Sequence, residues 1–218
     1  MAPSRSPSRK ERLAGADAAL AGADPVMARL VERLGPCAIP VRRLPGGPFG
    51  ALARSILYQQ LAGKAAFAIH ARFTALFEEG TPTAEAVVAL PDTALRSAGL
   101  SGSKAASIRD LAERVVDGRL RLDDLPRRSD EQVVDRLVAV RGIGRWTAEM
   151  FLIFTLGRLD VWPVGDYGVR SGFARAHRLP ETPKPKDLMV LGEPYRPWRT
   201  AAAWYCWRAA EDKGLSAG

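Results

Sequence analysis

From Asp24 to Asp212 the apolar side chains return every three to four residues, and alternating apolar–polar runs longer than about four residues do not occur. That period places one apolar stripe along a helix and gives a sheet no continuous inward face. The pattern therefore requires an all-α fold. Asp24-Pro25 marks a helix start, because an aspartate caps the first N–H groups and proline's fixed φ suits the first helical position. The string VMARLVERL then continues at helical spacing. Further helices are predicted over residues 48–61, 63–77, 83–90, 91–98 and 101–116, from Ser129 through Val138, and over 144–156, 166–177 and 197–212. Residues 1–22 are expected to form a disordered basic tail, being polar and rich in Ser, Pro, Gly and Ala.

Several function classes are excluded at this level. A chain of 218 residues can bury a core, in one domain or two small ones. No apolar run is long enough to span a bilayer, and no membrane partner is expected. Cys37 and Cys206 make neither a disulfide framework nor a four-ligand metal site, and His70 and His177 have no ligand partners at useful spacing. The N-terminal sequence lacks the apolar core of a signal peptide. The expected location is the cytoplasm of a bacterium, associated with the nucleoid. Lys and Arg number 32 against 24 acidic residues, a net charge of +8 that favours polyanions. An Arg-rich, high-GC composition would give the same charge, so it informs only alongside a motif.

That motif runs from Leu137 to Asp166. Gly142-Ile143-Gly144 forms a turn between two helical patterns. Glycine accepts positive φ and lets another backbone come close. The helix that follows, from Arg145, aims its unsatisfied N–H groups and the positive end of its dipole back at the turn. A phosphate held there sets register on a duplex without reading sequence. Ile143 is expected to anchor the turn in the core. The carbonyls of Val138, Val140 and Ile143 face the turn and are candidate ligands for a structural Na⁺ or K⁺. Gly63-Lys64-Ala65 is not a phosphate-binding P-loop, because Tyr58 stands at the earlier glycine position and no Ser or Thr follows the lysine.

Asp166 lies 22 residues beyond Gly144. Its plain role is to cap the helix beginning at Tyr167, worth about 1 kcal/mol. Beside a phosphate-holding turn it has a second one. Breaking a sugar–base bond develops positive charge at C1′, which a carboxylate stabilises while positioning a water. An alkylated purine already carries positive charge and leaves without an acid to protonate it. Glu149 is the nearest second carboxylate and is expected to point elsewhere on its helix. A base within a duplex must be flipped out and held in an aromatic pocket. Trp146, Trp198, Trp204 and Trp207 stand at suitable places in the chain.

These strings resemble the helix-hairpin-helix DNA glycosylases, and among them the 3-methyladenine DNA glycosylase II branch. The resemblance covers about residues 24–212 and is carried by ARSILYQQLAGKAA (Ala53 to Ala66), LVAVRGIGRWTAEMFL through VGDYGVR (Leu137 to Arg170) and PWRTAAAWYCW (Pro197 to Trp207). It implies two helical subdomains with a DNA-binding cleft between them: a barrel over residues 51–171, carrying the hairpin at 137–151, and a terminal subdomain of residues 23–50 with 172–218. The extra N-terminal β-domain of larger relatives cannot fit. Asp166 is then the catalytic aspartate, and Trp146, Trp207, Met150 and Tyr58 form the base pocket. Gly142, Ile143, Gly144, Arg145, Thr147, Gln59, Gln60 and Lys64 contact DNA, with Gln60 at the wedge that fills the space of the flipped nucleotide.

Bifunctional relatives place a Schiff-base lysine where this chain has Trp146, and an indole cannot attack C1′. The resemblance thus implies a monofunctional, monomeric glycosylase acting on alkylated duplex DNA in base excision repair. The four-cysteine cluster of other branches is absent, so no iron–sulfur centre is expected. Met150, Gln60 and Tyr58 depart from the family pattern and leave the preferred lesion open among 3-methyladenine, 7-methylguanine and 1-methyladenine. Two alternatives stand beside this one: a glycosylase for oxidised or deaminated bases, and a non-catalytic DNA-binding repair module.

Overall fold

The computed structural model describes residues 9–61, 63–212 and 214. Every regular element among them is helical, and no strand occurs, as the apolar period requires. The chain divides into two compact units. One joins the N-terminal segment through Pro40 to the segment from Gly157 onward, and the other spans Val41–Leu156.

The central unit holds α3 (Gly47–Tyr58), α4 (Gly63–Thr74), α5 (Ala84–Ala89), α6 (Asp92–Ser97), α7 (Gly102–Val116), α8 (Asp130–Val138) and α9 (Arg145–Phe151). The last continues as a wide π turn over Leu152–Leu156. Its core is built on α7, whose Ile108, Leu111 and Ala112 are fully buried and which packs against α3 and α5. Local chemistry sets the helix starts. Thr83 accepts the Ala86 N–H at 3.1 Å and Ser101 accepts that of Lys104 at 3.3 Å. Ser129 and Gln132 form a reciprocal capping box, which satisfies two N–H groups that the helix itself cannot.

The terminal unit holds α1 (Arg9–Ala23), α2 (Pro25–Leu34), α10 (Tyr167–Ala176), α11 (Pro185–Leu191) and α12 (Arg199–Glu211). Helix α1 corrects the expectation of a disordered tail over residues 1–22, of which Met1 to Ser8 lie outside the described residues. Leu13, Ala16 and Leu20 form a stripe at helical spacing and are buried. Asp17 beside them accepts the Tyr205 hydroxyl at 2.9 Å and the Cys37 N–H at 3.1 Å. The stripe is too short to persist alone. It holds because α2 and α12 cover it, each buried leucine contributing about 1.5–3 kcal/mol.

The subdomain boundaries also move. The chain passes from the central to the terminal unit after Leu156, not after residue 171, and from the terminal to the central unit at Pro40, not at residue 50. The reason is α10, which packs along α12. A Cβ at Gly172 would overlap the Cys206 backbone carbonyl, so the two helices meet backbone to backbone and α10 folds with the terminal segment. Helix α11 was unforeseen. Its local signals are Pro185 at the first helical position and Asp187 in the first turn.

Asp24 caps α2 as expected, accepting the Val26 N–H at 2.7 Å. Its second oxygen accepts the Tyr195 hydroxyl at 2.5 Å and lies 2.8 Å from His177 Nε2. Burial alone would raise this carboxyl. The hydrogen bonds from Tyr195, His177 and Val26 outweigh burial and hold it below the usual aspartate value. A carboxyl depressed on folding adds stability above its unfolded pKa and loses it as pH falls. Thermal melting between pH 6 and 3 should therefore show stability falling below about pH 4. Asp24→Asn should lower stability at pH 6 and make that acid decline shallower; a variant with the wild-type pH slope would contradict the account.

Candidate functional site

Hairpin α8–α9 is held from behind by the rest of the central unit. Gly142 takes φ +77°, and a Cβ there would sit 2.6 Å from Ser107 Oγ. Asp110 accepts the Arg141 N–H at 2.7 Å. Val140 and Ile143 are buried, Ile143 anchoring the turn as expected, and the Ile143 N–H closes on the Val140 carbonyl at 3.1 Å. The first turn of α9 begins at once with Arg145, so its N–H groups have no intrahelical acceptor.

Three of the predicted DNA contacts have side chains with hydrogen-bond partners within the protein. The Gln59 amide donates to the Gly142 carbonyl at 2.9 Å and lies 3.4 Å from Thr147 Oγ1. Thr147 is itself only 5% exposed. The Arg145 guanidinium donates to Glu131 at 2.6 Å and to Glu149 at 3.1 Å, so its charge is already matched by carboxylates. Glu149, the second carboxylate considered in the sequence, is buried and paired with Arg145.

Lys64 is exposed in the first turn of α4. Gln60 is exposed and takes φ +55°, a left-handed conformation that costs a non-glycine residue about 1–2 kcal/mol. Lys104, which the sequence did not single out, supports this segment. Its ammonium reaches from α7 to the Leu57 carbonyl at 2.6 Å and the Gln59 carbonyl at 2.7 Å. A cation there complements the C-terminal dipole of α3, and burial pushes the lysine below its usual value. The contact joins residues far apart in sequence, so no local pattern could have shown it.

Beside this segment lies a cavity of about 590 Å³, wholly within the central unit. Tyr58, Gln59, Gln60, Trp146, Thr147 and Met150 line it together with Arg42, Arg54 and Phe154. All three base-pocket residues predicted in this unit thus converge. Trp146 is 49% exposed, which rules it out as core. One face of Tyr58 is covered by the Arg54 guanidinium, 4.0 Å from the ring centroid, and its edge meets His70 at 5.9 Å. Burial, and then the nearby Arg54 charge, lower the His70 pKa. Arg54 stands one turn before Tyr58, a spacing that foretells this contact.

In the terminal unit, the loop after Gly157 is tied down along its length. Arg199 forks onto the Asp160 carboxylate at 2.7 and 2.9 Å. The Thr200 hydroxyl donates to the Arg158 carbonyl at 2.9 Å and accepts the Val161 N–H at 3.0 Å. Trp162 Nε1 donates to the Leu188 carbonyl at 2.8 Å. The loop delivers Asp166 to the N-cap of α10, where Oδ1 accepts the Val169 N–H at 2.8 Å. The same oxygen accepts the Trp207 indole N–H at 2.9 Å. Trp207, expected only as a stacking surface, therefore also contacts the carboxylate through its polar edge. No helix among the described residues is long and apolar enough to cross a membrane.

The glycine hairpin and the helix-capping Asp166 both lie in the stretch that shows the class of protein. The model for the HhH-GPD superfamily of base excision DNA repair proteins matches residues 53–197, and the chain belongs to that superfamily. It is similar to DNA-3-methyladenine glycosylase 1 of Schizosaccharomyces pombe, with 36% identity over 201 residues that cover 91% of this chain and 88% of the relative. Among solved structures, it resembles the S. pombe 3-methyladenine DNA glycosylase in complex with abasic DNA, with a TM-score of 0.79 and 36% identity over 91% of this chain and 98% of that one. It also resembles a DNA-3-methyladenine glycosidase from Bacillus halodurans, with a TM-score of 0.82 and 36% identity over 89% of this chain and 88% of that one.

The hairpin geometry carries a direct expectation. Gly142→Ala forces a side chain into positive φ and against Ser107, and should destabilise the protein by about 1–2 kcal/mol in urea titration. Affinity for duplex DNA should fall at least several-fold in the fraction that remains folded. Unchanged affinity would mean the turn does not hold the duplex.

Proposed function

We propose that this protein is a monofunctional DNA glycosylase that removes alkylated purines of the 3-methyladenine type from duplex DNA, opening base excision repair. The observation that carries the reading is the Asp166 carboxylate, fixed at the α10 N-terminus by two N–H donors, in a chain whose relatives are named for this activity. The hairpin holds the backbone through N–H groups. Gln60, exposed on its strained turn, acts as the wedge, and Lys64 adds charge near the backbone. The cavity that Trp146, Met150 and Tyr58 line receives the flipped base.

A cationic purine over an indole face gains on the order of 1–2 kcal/mol, while an undamaged neutral base gains less. As the glycosidic bond lengthens, its electron pair goes to the departing base, which leaves neutral. Asp166 stabilises the positive sugar and orients a water whose oxygen bonds to C1′ as its proton passes to the carboxylate and on to solvent, giving an abasic site. With Trp146 at the lyase position, no amine there forms a Schiff base. A monovalent cation suits the hairpin, since the Val140 carbonyl, spent once on the Ile143 N–H, keeps a second lone pair. Val138 and Ile143 would supply the other carbonyls, and the cation would add positive charge beside the phosphate. The protein works as a monomer on the chromosome in the bacterial cytoplasm.

Base release from methylated duplex DNA, with the freed bases separated by chromatography, tests the reading. Asp166→Asn should reduce release by two orders of magnitude or more and leave binding to an abasic-site analogue within about threefold. The wild-type product should keep an intact strand until treated with alkali, and borohydride should trap no covalent complex. An Asp166→Asn variant that keeps half its activity would remove the carboxylate from the mechanism. Release of oxidised or deaminated bases in preference to methylated ones would replace the substrate class.

A further inference from the structure

We infer that Trp207 is a positioning residue for Asp166: its contribution to base excision runs through the indole N–H that fixes the carboxylate, and not through ring stacking alone. The inference rests on the reading of Asp166 as the catalytic carboxylate.

The packing of α10 on α12 sets this contact. Gly168 and Gly172 stand one turn apart on the α10 face that meets α12. At Gly172 a Cβ would strike the Cys206 backbone, which no rotamer change relieves. At Gly168 a Cβ would lie 2.9 Å from Trp207 Cδ1 and 3.1 Å from Asp166 Oδ1. The missing side chains let α12 run close enough for the Trp207 indole to lie over the N-terminal turn of α10.

Its Nε1–H then reaches Asp166 Oδ1 at 2.9 Å, the oxygen that already accepts the Val169 N–H at 2.8 Å. An N-capping aspartate held only by its own helix keeps rotational freedom about its side-chain bonds. A second donor from another helix removes that freedom and sets the plane of the carboxylate. An indole has a single donor, and here it is committed to this oxygen, which in turn fixes the ring. A carboxylate held in one orientation meets the developing charge at C1′ without reorganising during the reaction.

Trp207→Phe separates the two roles, because phenylalanine keeps an aromatic face and loses the N–H. Single-turnover excision from methylated duplex should slow about tenfold or more at saturating enzyme, while the dissociation constant for an abasic-analogue duplex stays within about twofold. An unchanged rate, or weaker binding with an unchanged saturating rate, would overturn the inference. In either case the Asp166→Asn result would still decide the proposed function independently. A second measurement needs no activity. In ¹⁵N-labelled protein the indole N–H resonance assigned by its loss in Trp207→Phe should move upfield in Asp166→Ala, with the other indole signals nearly fixed. A resonance that does not move would show that the hydrogen bond does not form in solution, and the inference would fall. Should Trp207→Phe fold poorly in urea titration, this resonance, assigned through the backbone, decides alone.

Discussion

The approach of α10 to α12 across Gly168 and Gly172 is the contact on which most of the terminal unit depends. Helices usually pack through side chains at axial separations near 8–10 Å. Here glycine allows backbone-level approach, with Cys206 and Trp207 of α12 directly against α10. Trp207 comes to lie over the start of α10. Tyr205 is turned inward, where its hydroxyl donates to Asp17 and lies 3.0 Å from the Gly35 carbonyl, and α1 gains the surface on which it folds. Cys206, at the seam, is fully enclosed, and burial pushes its thiol up, which leaves it a packing residue and not a nucleophile.

The central unit solves a different problem, that of holding a strained turn still. A positive-φ glycine in a short loop has many alternative conformations when unrestrained. Four contacts close them off: Ile143 in the core, Asp110 on the Arg141 N–H, Gln59 on the Gly142 carbonyl and Ser107 against its Cα. Gln59 and Lys104 also link the hairpin to the segment that carries Gln60, since Lys104 binds the Gln59 carbonyl.

Much of this was legible beforehand where the signal is local. Helix starts at Asp24, Thr83, Ser101 and Ser129 follow from side chains that cap their own N–H groups, and the Gly142-Ile143-Gly144 turn follows from backbone freedom flanking one apolar anchor. Tyr58, Trp146 and Met150 were placed in a pocket, and they line one. The rest was not legible, because a residue's partner often lies far along the chain. The partners of Gln59 at Gly142 and of Arg145 at Glu131 are visible only in three dimensions. Helix α1 was missed because its polar, alanine-rich composition conceals a stripe of three apolar residues that no neighbour in sequence can cover.

The amino-acid sequence by itself determined the helical class, the glycine turn, and the aspartate that caps α10, because each of these is decided by interactions within about a turn of helix. The tertiary structure decided where the chain divides and what several of its polar groups do. Packing is a matter of fit between distant surfaces: two missing Cβ atoms draw α10 to α12, assign Asp166 to the terminal unit and put an indole N–H on its carboxylate. Whether a tryptophan offers its face or its edge depends on the backbone that carries it, and residue type alone does not specify that.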